Sequence, residues 1–186
     1  ENYGLADIYR TGFNVFTTLE PNLQEAVQAA VNEQLASLRA RGIGGNNASV
    51  VVMDPRDGRI RAMVGSADYY SQEIDGQVNV AFTPQQPGSS IKPLVYLAAF
   101  QGNPAGPYWT PATIIWDTPT CWGGYCPTNY DGTFHGPHSA RSALANSYNI
   151  PAVKTMEFVT PDRFAQVAQA VGLTFPGSTP QQAGLP

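Results

Sequence analysis

The sequence predicts an α/β fold of the α+β kind, with helices gathered around an antiparallel sheet. Three observations carry this. Residues 48–53 and 60–64 are β-rich runs flanking Asp54-Pro55-Arg56-Asp57-Gly58, a turn with Pro and Gly where a hairpin needs them. Leu23, Val27, Ala30, Val31, Leu35 and Leu38 recur at helical spacing and form one apolar stripe. Residues 94–100, Leu-Val-Tyr-Leu-Ala-Ala-Phe, are apolar on every side, as expected of a buried helix.

In chain order, residues 1–12 read as a linker and 13–186 as the domain proper. Phe13, Val15 and Thr17 alternate with Asn14, Phe16 and Thr18, which predicts a short strand. Pro21 opens the striped helix, because its fixed φ suits the first helical position. Gly42, Gly44 and Gly45, with Asn46 and Asn47, end it near residue 41. The hairpin follows, then a polar, irregular stretch over 66–85 that leads to Ser89 along one rim of a cleft. Pro87 and Gly88 allow a sharp turn, and Pro93 falls in the first turn of the apolar helix, where a missing N–H costs little.

Residues 102–137 are rich in Gly, Pro, Thr and aromatics. A connection of that length in a small domain is functional or carries short elements of its own. Its aromatics, Tyr108, Trp109, Trp116, Trp122, Tyr125 and Tyr130, either line a groove or pack the loop onto the body of the domain. Packing is the favoured expectation, since aromatics contribute burial area wherever they land. Ser139 is a plausible N-cap for a helix over 139–149, and an apolar pattern continues past Pro151. Thr160-Pro161-Asp162 caps a last helix that stops at Gly172, and 174–186 is loop-like. No internal repeat is visible, and the chain reads as one domain or most of one.

Composition narrows the classes. The chain has 186 residues, 42% of them hydrophobic and 13% charged, enough for one sizeable core. A net charge of −4 with no long basic run argues against nucleic acid as a partner. No run of 18 apolar residues exists, so no membrane contact is expected within this segment. Cys121 and Cys126, without neighbouring His or further Cys, make a poor zinc site, and neither a metal nor a cofactor is expected.

The chemistry concentrates in Gln86-Pro87-Gly88-Ser89-Ser90-Ile91-Lys92-Pro93. Ser89 and Lys92 are three apart, which on a helix puts them on one face. A serine hydroxyl is a weak nucleophile until a neighbour takes its proton, and a lysine does so only if its ammonium is destabilised. The N-terminus of a helix also favours developing negative charge. The bland alternative is a capping serine beside a solvated lysine, which fits poorly with an all-apolar helix. A second constellation, Ser147-Tyr148-Asn149, follows in the order expected where Ser-x-x-Lys is paired with Ser-x-Asn. A histidine triad using His135 or His138 is the rival reading. It lacks a Gly-x-Ser-x-Gly elbow, and His135 lies in a Phe-His-Gly-Pro turn.

With both motifs in place, the chain resembles the transpeptidase domain of bifunctional (class A) penicillin-binding proteins. The likeness extends through residues 12–24, 52–65, 86–96 and 129–153. It implies a serine β-lactamase/DD-transpeptidase-like fold and a peptidoglycan DD-transpeptidase. That enzyme would act through an acyl-serine on D-Ala-D-Ala stem peptides and bind β-lactams covalently. By the same resemblance Ser89 is the nucleophile and Lys92 accepts its proton. Ser147 relays the proton to the leaving amine, and Asn149 orients Lys92 and binds the substrate amide. The segments at 12–24 and 129–153 are similar to a synthase rather than a lactamase. The implied setting is extracytoplasmic, in a parent anchored to the membrane and carrying an N-terminal glycosyltransferase region. There, Cys121 and Cys126 either stay as thiols or close a small disulfide loop.

One family motif, Lys-Thr-Gly, does not occur; Lys154-Thr155-Met156 lacks the glycine and lies too close to Asn149. Of the family's central sheet only the N-terminal hairpin is visible, so the C-terminal strands are expected to be missing. The resemblance places one oxyanion donor beyond that motif, and losing it removes about 3–4 kcal/mol of transition-state stabilisation. The expectations are therefore a truncated domain, a separate chain carrying the missing half, or a catalytically incomplete fragment or scaffold module.

Overall fold

In a computed structural model, residues 14–102 and 106–173 are described. The expected linker over 1–12, Phe13 and the loop over 174–186 lie outside them. The chain forms two compact units, residues 1–84 and 85–186.

The first unit is built on helix α1 (Pro21–Ala40) and the hairpin of β1 (Val50–Met53) and β2 (Ile60–Val64). Pro21 opens α1 as expected. The buried part of its stripe is narrower than the sequence suggests. Val31 and Leu35 pack on Val64, with Val27 partly buried beside them, while Ala30 faces solvent. The strands pair Val50 with Val64 and Val52 with Ala62, and a bulge falls at Val52/Met53. No strand forms over residues 14–18, where Val15 and Phe16 are exposed. The segment instead serves the edge of β2. Glu20 donates its backbone N–H to Arg61 O at 2.8 Å. One turn on, the Gln24 amide accepts from Met63 N–H at 2.8 Å and donates to Met63 O at 2.9 Å. A side-chain amide thus substitutes for a neighbouring strand, satisfying backbone groups that an open edge would leave unpaired.

The second unit is organised by a 3₁₀ turn (Gly88–Ile91) running directly into helix α2 (Lys92–Gln101). Two apolar clusters explain why α2 is apolar nearly all round. One side packs Val95, Ala98 and Ala99 against Val159, Phe164, Val167 and Ala168. The other packs Tyr96 against Ile115, Ala140, Ala143 and Ala152. Leu97 is the exception to the expected burial, being exposed. The partners come from α3 (Ala140–Ala145), α4 (Asn149–Val159) and α5 (Pro161–Ala170), and from a second hairpin, β3 (Ile114–Asp117) with β4 (Gly136–Ser139).

The long connection therefore does carry elements of its own. Trp109 stacks on Phe158 with ring centroids 4.6 Å apart, as packing predicts. The expectation fails for Tyr108, Trp116, Tyr125 and Tyr130, whose side chains are exposed. Strand alternation accounts for Trp116: Ile115 and Asp117 take the inward positions of β3, leaving Trp116 outward. Cys121 and Cys126 are joined in a disulfide, and Trp122 within the loop donates to Glu157 of α4 at 3.3 Å.

Candidate active site

The expected helix over 139–149 is two helices. Ser139 caps α3, its hydroxyl accepting from Ser142 N–H at 3.2 Å. The helix then stops at Asn146 in a Schellman arrangement. Ser147 N–H donates to Leu144 O at 3.0 Å and Tyr148 N–H to Ala143 O at 3.1 Å, with Ser147 at φ 56°. This left-handed position is one where glycine is usual, because a Cβ costs about 1–2 kcal/mol there. The break points the Ser147 carbonyl and hydroxyl out of the helix and restarts the chain as α4 at Asn149.

Both meet Lys92. Its Nζ donates to Ser147 O at 2.7 Å, to Asn149 Oδ1 at 2.7 Å and to Ser147 Oγ at 3.2 Å. Lys92 is only 3% exposed, and burial pushes its pKa below the ordinary 10.5. None of the three acceptors is a carboxylate. That choice has a chemical consequence. A neutral amine has two N–H groups, which the carbonyl of Ser147 and the amide oxygen of Asn149 satisfy, and its lone pair is left for a hydroxyl.

Ser89 reaches this centre through the 3₁₀ turn. Lys92 N–H donates to Ser89 O, an i to i+3 bond, and side chains three apart eclipse in such a turn. Spacing and turn type thus agree in putting the serine and lysine on one side. Ser89 is exposed and lines a cleft of about 570 Å³ with Ser147 and Asn149, bounded also by Tyr130, Asp131 and Tyr148. The four residues singled out by the two motifs therefore meet: three at the cleft surface, and Lys92 hydrogen-bonded behind two of them.

His135 does not form a triad. Its Nδ1 lies 3.0 Å from Asp117 Oδ2, but Nε2 is taken up by Asp131 Oδ2 at 3.0 Å and Thr133 Oγ1 at 3.2 Å. His138 Nδ1 lies 3.1 Å from Ser142 Oγ and its ring meets Tyr148 edge-on at 5.0 Å, but it does not itself line the cleft. Asp117 and Asn129 went unread in the sequence. Asn129 opens the 129–153 stretch that carried the resemblance, but nothing in the spacing linked it to Asn149, twenty positions on. Among the described residues no group of His, Cys, Asp and Glu is arranged to hold a metal ion.

Comparisons with known proteins bear on the family and the fold. Residues 48–181 match the family described as penicillin binding protein transpeptidase domain. Penicillin-binding protein 1C of Escherichia coli K12 is 36% identical over 160 residues, covering 86% of this chain and 20% of that protein. Penicillin-binding protein 1B of Vibrio cholerae is 34% identical over 148 residues, covering 77% of this chain and 18% of that one. The chain thus spans about a fifth of the length of these relatives. Among solved structures, penicillin-binding protein PonA1 from Mycobacterium tuberculosis aligns with a TM-score of 0.72 at 25% identity, over 95% of this chain and 43% of that one. Its complex with penicillin V aligns equally well, with a TM-score of 0.72 at 25% identity, over 95% of this chain and 44% of that one.

Proposed function

This chain belongs to the penicillin-binding protein transpeptidase family, and from that premise we propose that it carries the acyl-transfer centre of a serine peptidoglycan DD-transpeptidase. The observation that carries the reading is the buried Lys92 amine, held by Ser147 and Asn149, one 3₁₀ turn from an exposed serine. Ser89 Oγ attacks the penultimate D-Ala carbonyl of a stem peptide as Lys92 Nζ takes its proton. The tetrahedral adduct collapses with cleavage of the peptide C–N bond. The proton passes from Lys92 through Ser147 Oγ, 3.2 Å away, to the departing D-Ala amine. In the second half the amine of a neighbouring stem peptide attacks the acyl-serine, and the relay runs in reverse to return the proton to Ser89. Asn149 both holds Lys92 and presents an amide to the substrate backbone. β-Lactams acylate the same oxygen, in keeping with the penicillin V complex of the PonA1 relative. The setting is extracytoplasmic, where the Cys121–Cys126 disulfide is stable.

Substituting Ser89→Ala in the full-length protein should abolish covalent labelling by a fluorescent penicillin while the thermal melt is unchanged. Labelling that persists removes Ser89 from the role. A second reading, a catalytically incomplete module, is favoured by one observation: no Lys-Thr-Gly occurs in these 186 residues. The two part on this chain expressed alone, since a chain that folds and is acylated at the full-length rate excludes the second.

A further inference from the structure

The hydrogen bonds that fix the Ser147–Asn149 turn run on to a buried carboxylate on β3. We propose that Asp117, Asn129 and His135 are positioning residues, a buried anion that sets the turn presenting Ser147 and Asn149 to Lys92. The inference rests on the acyl-transfer reading above and assigns residues that neither motif contains.

Asp117 is 0% exposed, and its Oδ2 collects three donors. These are Asn129 Nδ2–H at 2.7 Å, His135 N–H at 2.9 Å and His135 Nδ1 at 3.0 Å. A carboxylate is acceptor-only, so the last contact makes Nδ1 the protonated nitrogen. Asn129 has one satisfactory orientation. Its NH₂ faces two pure acceptors, Asp117 Oδ2 and Thr133 O at 2.8 Å, while its Oδ1 accepts from Asn149 N–H at 2.8 Å. The bond to Asn149 fills a need of α4. The N-cap, Tyr148, makes no side-chain cap bond, so Asn129 satisfies one orphan N–H of that helix from twenty residues away. The Asn149 side chain is fixed the same way, donating to Thr128 O at 2.7 Å and accepting from Lys92 at 2.7 Å. Between Asp117 and Lys92 there are thus only two residues, each with its amide orientation determined by its neighbours.

His135 supplies the second arm. Its ring stacks on Tyr148 with centroids 4.3 Å apart and planes 14° from parallel, which braces the middle residue of the turn. The groups facing the ring are Asp117, Asp131, Tyr148 and the edge of His138, 6.2 Å away. The hydrogen bond to Asp117, with further help from the Asp131 carboxylate, raises the His135 pKa above 6.5. Bracing by the charged ring is therefore complete below its ordinary pKa and weakens as pH rises through the raised one. A left-handed Ser147 is a conformation that surrounding structure must over-determine, and these two arms do so.

The test is the acylation rate of the full-length protein by fluorescent penicillin as a function of pH, beside a thermal melt. Asn129→Ala should slow acylation about 10²-fold, the effect of misplacing a reacting group by about 1 Å. It should also move the acid limb of the rate profile to lower pH, because Lys92 loses a fixed acceptor for its ammonium. His135→Phe keeps a ring on Tyr148 and the backbone N–H bond to Asp117, and deletes the ring's bonds to Asp117, Asp131 and Thr133. It should slow acylation about 10-fold, with a smaller displacement of the same limb. This side chain is a quarter exposed, so His135→Phe decides the matter if Asn129→Ala does not fold. Folded variants with the wild-type rate and an unmoved limb overturn the proposal, as does a rate that falls only in step with the native fraction. Wild-type protein that is never acylated refutes the acyl-transfer reading instead.

Discussion

Two cationic centres in this molecule are built on opposite plans. In the first unit Arg61 sits among carboxylates: Asp54 and Asp57 each at 3.3 Å and Glu20 at 3.7 Å. Arg56 adds a 2.7 Å contact to Asp54, and these cations hold the Asp54 carboxyl far below the usual range. In the second unit Lys92 is buried and meets only neutral oxygens. Carboxylates make a charge permanent, whereas dipoles with no water leave it easily discharged. The contrast teaches that a proton acceptor is recognised by the acceptors it lacks. A guanidinium among anions cannot serve as a base at any ordinary pH, whatever its surroundings.

The sharpest way to break the contrast is to give Lys92 what Arg61 has. Asn149→Asp puts a carboxylate at the Lys92 ammonium and should hold its proton in place. Acylation at neutral pH should fall about 10²-fold, within the range of a lost general base, and the acid limb should move to higher pH. Stopped-flow labelling across pH checks both, and a limb that stays in place would show that Lys92 does not carry the proton. A smaller effect is expected from Ser147→Gly, which preserves the carbonyl at Lys92 but removes the hydroxyl. The left-handed φ no longer carries its Cβ cost, so the native state should gain up to about 1 kcal/mol. The same variant should acylate about tenfold more slowly, a rise in Tm accompanying a fall in rate. The smallest effect belongs to Arg56→Ala. Its side chain is 85% exposed, so Tm at neutral pH should change by no more than about 2 °C. Because the Asp54 pKa is lowered on folding, its contribution is present above the unfolded value of 3.8 and is lost as pH falls through the folded one. Any destabilisation by Arg56→Ala should therefore fade in acid melts.

Much of this was legible in the sequence, for reasons that differ by element. Local rules located α1, the first hairpin and α2, because a proline at the first helical turn, a Pro-Gly turn and an apolar run each act within a few residues. The two motifs identified Ser147 and Asn149, which bond Lys92, and Ser89, which shares their cleft; the family resemblance they carried is borne out by the match over residues 48–181. What local rules missed depended on distant partners. Over 14–18 the expected short strand failed because the Thr18 hydroxyl bonds Ile60 O and the Glu20 N–H just beyond it bonds Arg61 O, with no strand ladder formed. The helix expected over 139–149 broke at Ser147, where Asn129 and His135 hold a backbone that propensity alone would not select. His135 read as a turn histidine because its partner, Asp117, lies 18 positions upstream.

The interior of α2 has a consequence for timescale. Val95, Tyr96, Ala98 and Ala99 are each at most 1% exposed, packed on both sides by other helices. Amides so enclosed exchange with deuterium only when the surrounding structure opens with them. The slowest-exchanging amides of this region should accordingly sit directly behind the proposed nucleophile, Ser89. Fraying of that helix then offers no route for an adduct on Ser89 to work loose, and its lifetime is left to the chemistry of deacylation.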